Sequence, residues 1–303
     1  MAESLPFGVF TQRLLSLYQE PLRAPSTLQR MSQLTSLLAA SGFASTADLT
    51  TSAIAAWIVE RSKVVSPNTV VGELGYIRAL CEFAVEEGLL DRNPFSSRRL
   101  KVRPVPPGRK SHHSIAEIGR VLDFLAAGAI TWSGHRLYAL AATVAYTGLR
   151  RNEALYLKPV DVRLTEGLLL VVARRRLKTV ASAAPVPICA ELTAILEPWL
   201  VSCGPEWCFP TFGRDRPWTG GGPGYKPLDR LRAAGLAAGV DGLTFQSLRH
   251  SLATHLETAF GVSEGAIRRI LRHTSDQTSL GYRHADAENL RRLAGSISYR
   301  PTG

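Results

Sequence analysis

Residues 96–113, SSRRLKVRPVPPGRKSHH, divide the chain in two. Proline fixes its own φ and has no N–H to donate, so the prolines at 104, 106 and 107 rule out a helix or a central strand here. The segment also carries Arg98, Arg99, Lys101, Arg103, Arg109 and Lys110 with no acid among them. Two readings stand: a solvated linker, or a strap that follows a phosphate backbone while the flanking domains grip a duplex. The boundaries expected from this are a helical domain over 1–97, a basic linker over 98–113 and a second domain over 114–303.

The first domain reads as helices at 7–20, 26–42, 46–63 and 66–90, with apolar residues at three- and four-residue spacing. Ser66 followed by Pro67 marks the start of the last one, and its apolar stripe passes through Val70, Leu74, Ile77, Leu80, Cys81 and Ala84. The second domain opens on an amphipathic helix (114–128) with Ser114 and Glu117 placed as a capping box. A core helix follows at 134–146, then strands at 160–164, 167–173 and 184–188. Helices resume at 190–204, 228–239, 244–260, 263–273 and 286–295. The expected class is therefore mainly α with a small antiparallel β-sheet, in two domains.

The balance of 36 Lys+Arg against 25 Asp+Glu gives +11, which favours a polyanionic partner, nucleic acid first. Apolar runs such as GLLLVVA (167–173) are too short to span a bilayer, and the N-terminus lacks the features of a signal peptide. No membrane partner and a cytoplasmic, nucleoid-associated location are expected. Cys81, Cys189, Cys203 and Cys208 show no paired spacing, so they read as small buried thiols and no metal site is expected. The TGGGPGYKP run (219–227) lacks the Lys-Ser/Thr ending of a phosphate-binding loop.

Three separated segments place a cation beside a helix end or turn. In TGLRRNEAL, Gly148 fits the turn after the core helix, Arg150 starts the next helix, and Glu153 lies one turn on, able to hold the arginine or cap the helix. ARRRLKTVASAAPVPI is a basic turn between strands, with Arg174, Arg175 and Arg176 leading to Lys178. TFQSLRHSLATH is a helix bearing Gln246, Arg249 and His250. A fourth segment, RHTSDQTSLGYRH, sets Tyr282 nine residues after His273.

In this order the four segments resemble the boxes of the tyrosine recombinase (phage-integrase) family: TGLR-x-x-E-L, a strand-turn Lys-Thr followed by Val-Pro, H-x-L-R-H, and L-G-H before a tyrosine. The helical first domain is similar to the family's core-binding (SAM-like) domain, so the resemblance spans nearly the whole chain. It implies a DNA strand transferase that cuts and rejoins duplex DNA at specific sites without ATP, metal or other cofactor. Tyr282 would be the nucleophile, Arg150 and Arg249 the phosphate clamp, Lys178 the proton donor and His273 a phosphate ligand, with Glu153 in support. The basic residues of the linker and of the strand turn would touch DNA. The implied assembly is a homo-tetramer on two duplexes, or a monomer or dimer on one, with accessory DNA-bending or directionality proteins as further partners. Two alternatives remain at this level: a relaxase of the type IB topoisomerase kind, and a DNA-binding relative with impaired catalysis.

Two positions depart from the family pattern. Gln246 stands where histidine is usual; it can donate a hydrogen bond to phosphate but cannot shuttle a proton. Arg272 stands where glycine is usual, and is expected either to contact phosphate or to face solvent. In the tail, Leu290, Leu293, Ala294 and Ile297 form a small apolar stripe; the resemblance implies a helix exchanged between protomers.

Overall fold

The structure is a computed structural model and describes residues 4–17, 25–96, 100–106, 112–172, 185–220, 225–272, 295 and 297–299. The chain forms two compact units, Met1–Gly108 and Arg109–Gly303. The boundary between them falls inside the basic, proline-rich segment.

The first unit holds α1 (Phe7–Leu17), α2 (Pro25–Ala40), α3 (Thr51–Ser62) and α4 (Pro67–Glu86). Their apolar faces meet in one core that includes Phe10, Leu38, Ile54 and Ile77, each fully buried. A buried side chain of that size contributes about 1.5–3 kcal/mol. Ser66 caps α4 by accepting from the Thr69 N–H, with Pro67 in the first turn. The helix expected over 46–63 is broken instead. Asp48 accepts from the Ser45 N–H at 2.7 Å and ends a short 3-10 turn, and Thr50 then caps a fresh start at Thr51 by accepting from Ala53. Glu73, buried on α4, is held by Arg30 and Arg61 at 2.9 and 2.8 Å. Beyond α4 the chain returns along the unit: Leu100 is buried, and the Asn68 side-chain amide donates to the Val105 carbonyl and accepts from its N–H, both at 3.0 Å. Lys101 and Arg103 lie exposed on this stretch.

The second unit is built round α6 (Trp132–Thr147), whose residues Ala139 to Thr147 are buried without a break. A helix apolar on all sides must sit inside others. It is wrapped by α5 (Ile115–Ala127), α8 (Ala190–Cys203), α9 (Pro227–Ala237) and α10 (Phe245–Thr258). Ser114 and Glu117 form the expected capping box at the start of α5. The short α7 (Arg151–Leu155) follows α6, and α11 (Glu264–Ile270) follows α10. The sheet is antiparallel, in the order β1 (Val162–Arg163), β2 (Leu168–Leu170), β3 (Pro185–Pro187), with Leu169 opposite both Val162 and Val186. The first strand is shorter than the expected 160–164. Asp161 reaches back to the Lys158 N–H at 2.8 Å and folds Pro159–Asp161 into a 3-10 turn, so pairing starts at Val162.

Residues 297–299 pack on this same unit. Ile297 and Tyr299 are buried in its core, the Tyr299 hydroxyl donates to the Ala145 carbonyl at 3.1 Å, and Ser298 donates to Glu191 at 2.6 Å. Gly119 makes room for Tyr299: a Cβ there would stand 2.4 Å from the Tyr299 carbonyl oxygen. Leu290, Leu293 and Ala294 lie outside the described residues. All four cysteines are buried thiols. Among the described residues, no helix is long and apolar enough to cross a membrane.

Candidate active site

The site begins where α6 stops. Gly148 takes φ +62°, the left-handed turn that ends a helix, and its N–H returns to the Val144 carbonyl. The chain then reverses, buries Leu149 and enters α7 with Arg150 as the capping residue. Glu153 closes this turn twice: Oε2 accepts the Arg150 backbone N–H and Oε1 accepts Nη1 of its guanidinium, both at 2.8 Å. The carboxylate both caps the helix and holds the arginine.

Arg249 comes in from α10. Thr244 caps that helix by accepting from the Ser247 N–H at 2.9 Å, while the Ser247 hydroxyl accepts from the Thr244 N–H at 2.8 Å. The Arg249 side chain is buried, with Nη1 on the Gly148 carbonyl and Nη2 on the Leu271 carbonyl. It therefore joins the end of α6 to the end of α11. Burial, then the charges of Arg150 and Arg272, pull its guanidinium down to about 9, with Glu153 opposing them. At neutral pH it remains a cation.

Arg272 corrects the expectation that it faces solvent. Its side chain is 2% exposed, and Nη2 donates to Glu153 Oε2 at 2.7 Å. It does not face solvent; it is the second cation on one buried carboxylate. Burial pushes the Glu153 carboxyl upward, but Arg272 and then Arg150 outweigh it and hold the group below its ordinary range. One carboxylate thus carries two guanidiniums, and among the described residues the cluster, with Arg249, holds three cations and one anion.

Gln246 is exposed one turn before Arg249, with Nε2 3.0 Å from Nε2 of His250. Lys178, His273, Tyr282, Arg98, Arg99, Arg109, Lys110 and Arg174 to Arg176 lie outside the described residues. The structure therefore brings Arg150, Glu153 and Arg249 together and adds Arg272.

A second set of residues, not expected from the sequence, fixes α10 from behind. The His113 backbone N–H donates to the Ser251 hydroxyl at 2.7 Å, and its Nε2 lies 3.1 Å from the Ser247 hydroxyl. His255 Nε2 lies 2.9 Å from the His113 carbonyl. The start of the second unit is thereby pinned to both sides of the turn that carries Arg249. Ser247 and Ser251 recur at four-residue spacing among apolar neighbours, the signal that could have marked this face as a polar seam. Arg136 is a further surprise: it is buried among Trp132, Phe212 and Trp218, at 4.8, 5.0 and 3.7 Å from their ring centres. Its Nη1 donates to the Pro210 carbonyl at 2.5 Å. This cation shapes the loop after α8 and takes no part in the cluster described above. Among the described residues, no group of His, Cys, Asp and Glu is arranged to hold a metal.

Comparison with known proteins bears on what such a cluster is for. Residues 116–289, more than half of the chain, match the profile of the Phage integrase family. The chain belongs to the phage integrase family. Solved integrases share its fold. A lambda integrase dimer bound to a COC′ core site superposes with a TM-score of 0.70, at 17% identity over 98% of this chain and 80% of that one. A lambda integrase tetramer bound to a Holliday junction gives 0.70, at 17% identity over 92% and 80%. The Tn1549 transposon integrase in complex with a circular intermediate DNA gives 0.68, at 17% identity over 95% and 99%. Comparison with curated proteins finds no match. The mainly helical fold with its small antiparallel sheet is thus that of an integrase, and α7, α10 and α11 supply the described part of its candidate site.

Proposed function

We propose that this integrase cuts and rejoins duplex DNA at specific sites, with Tyr282 as nucleophile and Arg150 and Arg249 as the phosphate clamp. The observation that carries the reading is the convergence of those two arginines, 99 positions apart in sequence, on the turn that starts at Gly148. A phosphodiester already bears a negative charge, and attack concentrates more on its non-bridging oxygens. A guanidinium offers fixed N–H donors and keeps its proton, so two of them stabilise that charge as it grows.

In the proposed step, the Tyr282 oxygen bonds to phosphorus and the bond from phosphorus to the 5′ oxygen breaks. The phenolic proton goes to water, favoured by the cationic surroundings. The leaving 5′ oxygen takes a proton from Lys178, and His273 donates a hydrogen bond to the phosphate. The products are a 3′-phosphotyrosine and a free 5′-hydroxyl. A 5′-hydroxyl from another strand reverses the step and reseals the backbone. Gln246 fits the role of a hydrogen-bond donor to phosphate, because its amide cannot accept and pass on a proton. Lys101 and Arg103, with Arg98, Arg99, Arg109, Lys110 and Arg174 to Arg176, fit backbone contacts that add affinity without sequence information.

The lambda integrase structures, one a dimer on a core site and one a tetramer on a Holliday junction, support assembly of this chain on DNA in the same way. Any segment exchanged between protomers would lie before Ile297, since Ile297 and Tyr299 sit in the core of their own unit. The test is incubation with nicked duplexes made from the DNA that flanks the coding sequence. The full chain should form a denaturant-resistant protein–DNA adduct, and Tyr282→Phe should bind the same DNA without forming one. An adduct that persists in Tyr282→Phe removes the assignment.

A further inference from the structure

Arg272 incurs two costs. Its backbone takes φ +53°, a conformation that suits glycine far better than a residue with a Cβ. Its cationic side chain is 2% exposed, and a buried charge is costly unless paired. The pairing is with Glu153, the same carboxylate that fixes the backbone and the guanidinium of Arg150. Next to it, the Leu271 carbonyl accepts from Arg249. Residues 271–272 are thus tied to residues 148–153 by two separate links, one through Glu153, which holds Arg150, and one through Arg249.

The charges explain what the second link adds. Glu153 paired with Arg150 alone would cancel that arginine's charge where a phosphate must feel it. A second guanidinium on the same carboxylate returns the group to a net positive charge, and leaves Arg150 held in position without being neutralised. Among the described residues, the groups facing one another here are Arg150 and Glu153 at the start of α7, Arg249 of α10 and Arg272 after α11.

We propose that Arg272 is a positioning residue for phosphodiester transfer: through Glu153 it fixes the Arg150 fork and restores the positive charge of the clamp. The proposal rests on the function argued above. It assigns to Arg272 a role in the rate of the chemical step and not in binding to the duplex as a whole.

Arg272→Gly and Arg272→Lys test it on the same nicked duplexes. Glycine relieves the positive φ, so Arg272→Gly should fold. Its adduct formation at saturating protein should slow about tenfold or more, while the protein concentration at half-maximal rate moves less than about threefold. Arg272→Lys keeps the charge without the fork, and should recover a large part of the rate. A merely structural role would lower the amplitude and the melting temperature of both variants and leave the rate of the folded fraction unchanged. That result, or a wild-type rate in Arg272→Gly, overturns the proposal. No adduct with the unaltered chain would instead remove the proposed function, and this inference with it.

Discussion

The Arg249 guanidinium donates to the carbonyl of Gly148, 101 positions earlier in the chain. The arginine read as half of a phosphate clamp is also a bolt between two helix ends, because its other Nη holds the Leu271 carbonyl. Stability and the geometry of the site are therefore coupled at this side chain.

Gly148→Ala tests that coupling. The positive φ disfavours any Cβ, and a Cβ there would stand 2.4 Å from Cδ2 of Leu271 and 3.1 Å from Cδ2 of Leu252. Strain and crowding together should cost about 2–4 kcal/mol, read from urea unfolding. The displacement also moves the Gly148 carbonyl away from Arg249, so adduct formation should fall in protein that is still folded. A variant as stable as the parent would show that this turn is looser than the packing indicates.

Glu153→Gln removes the anion shared by two arginines. The Arg272 side chain is 2% exposed and would keep its charge while losing the carboxylate of Glu153. Breaking a buried pair on one side costs about 3–5 kcal/mol. Because Arg150 is partly exposed and can turn to water, the lower end is expected, and Arg272→Gly in the same chain should recover part of the loss. Additive losses in the double variant would show that Glu153 and Arg272 do not act as a pair.

Acid should loosen the second unit before it affects the carboxylates. Burial lowers the imidazoles of His113, His135 and His255 from their ordinary value of 6.5. The unfolded chain then binds more protons than the folded one just below that value. The stability these groups contribute is present above 6.5 and is lost as pH falls through their folded values. Glu117 and Glu153 are also lowered, from 4.5, so their contribution is lost only in a more acidic window. Urea midpoints should thus drop as pH falls from about 6.5 toward about 5, and His113→Gln should flatten part of that slope. A flat profile across this range would contradict the neutral state of the three rings.

Local signals in the sequence were sufficient for much of this. The Ser66–Pro67 start, the Ser114–Glu117 box and the Gly148 turn each depend on neighbours within a few positions, and the structure forms all three. The expected helix over 46–63 failed because side-chain acceptors at Asp48 and Thr50 competed with the helix for the same backbone N–H groups. Glu153 was legible as a partner of Arg150 from three-residue spacing. Arg272 was not legible as its second partner, since that contact spans 119 positions and depends on how α11 ends. The polar seam of His113, Ser247, Ser251 and His255 was hidden for the same reason: it joins the first residues of the second unit to α10 across more than 130 positions. Buried Tyr299 shows the limit of a stripe reading, because its backbone fits where Gly119 of α5 has no side chain.

The proposed chemistry ends with the Tyr282 phenol bonded to DNA. Its most direct test is to form the adduct on a nicked duplex, digest it, and locate the modified residue by mass spectrometry. The expected product is a nucleotide joined through its 3′ phosphate to the peptide that contains Tyr282, with the released strand ending in a 5′-hydroxyl. Attachment at any other residue, or through a 5′ phosphate, would contradict it.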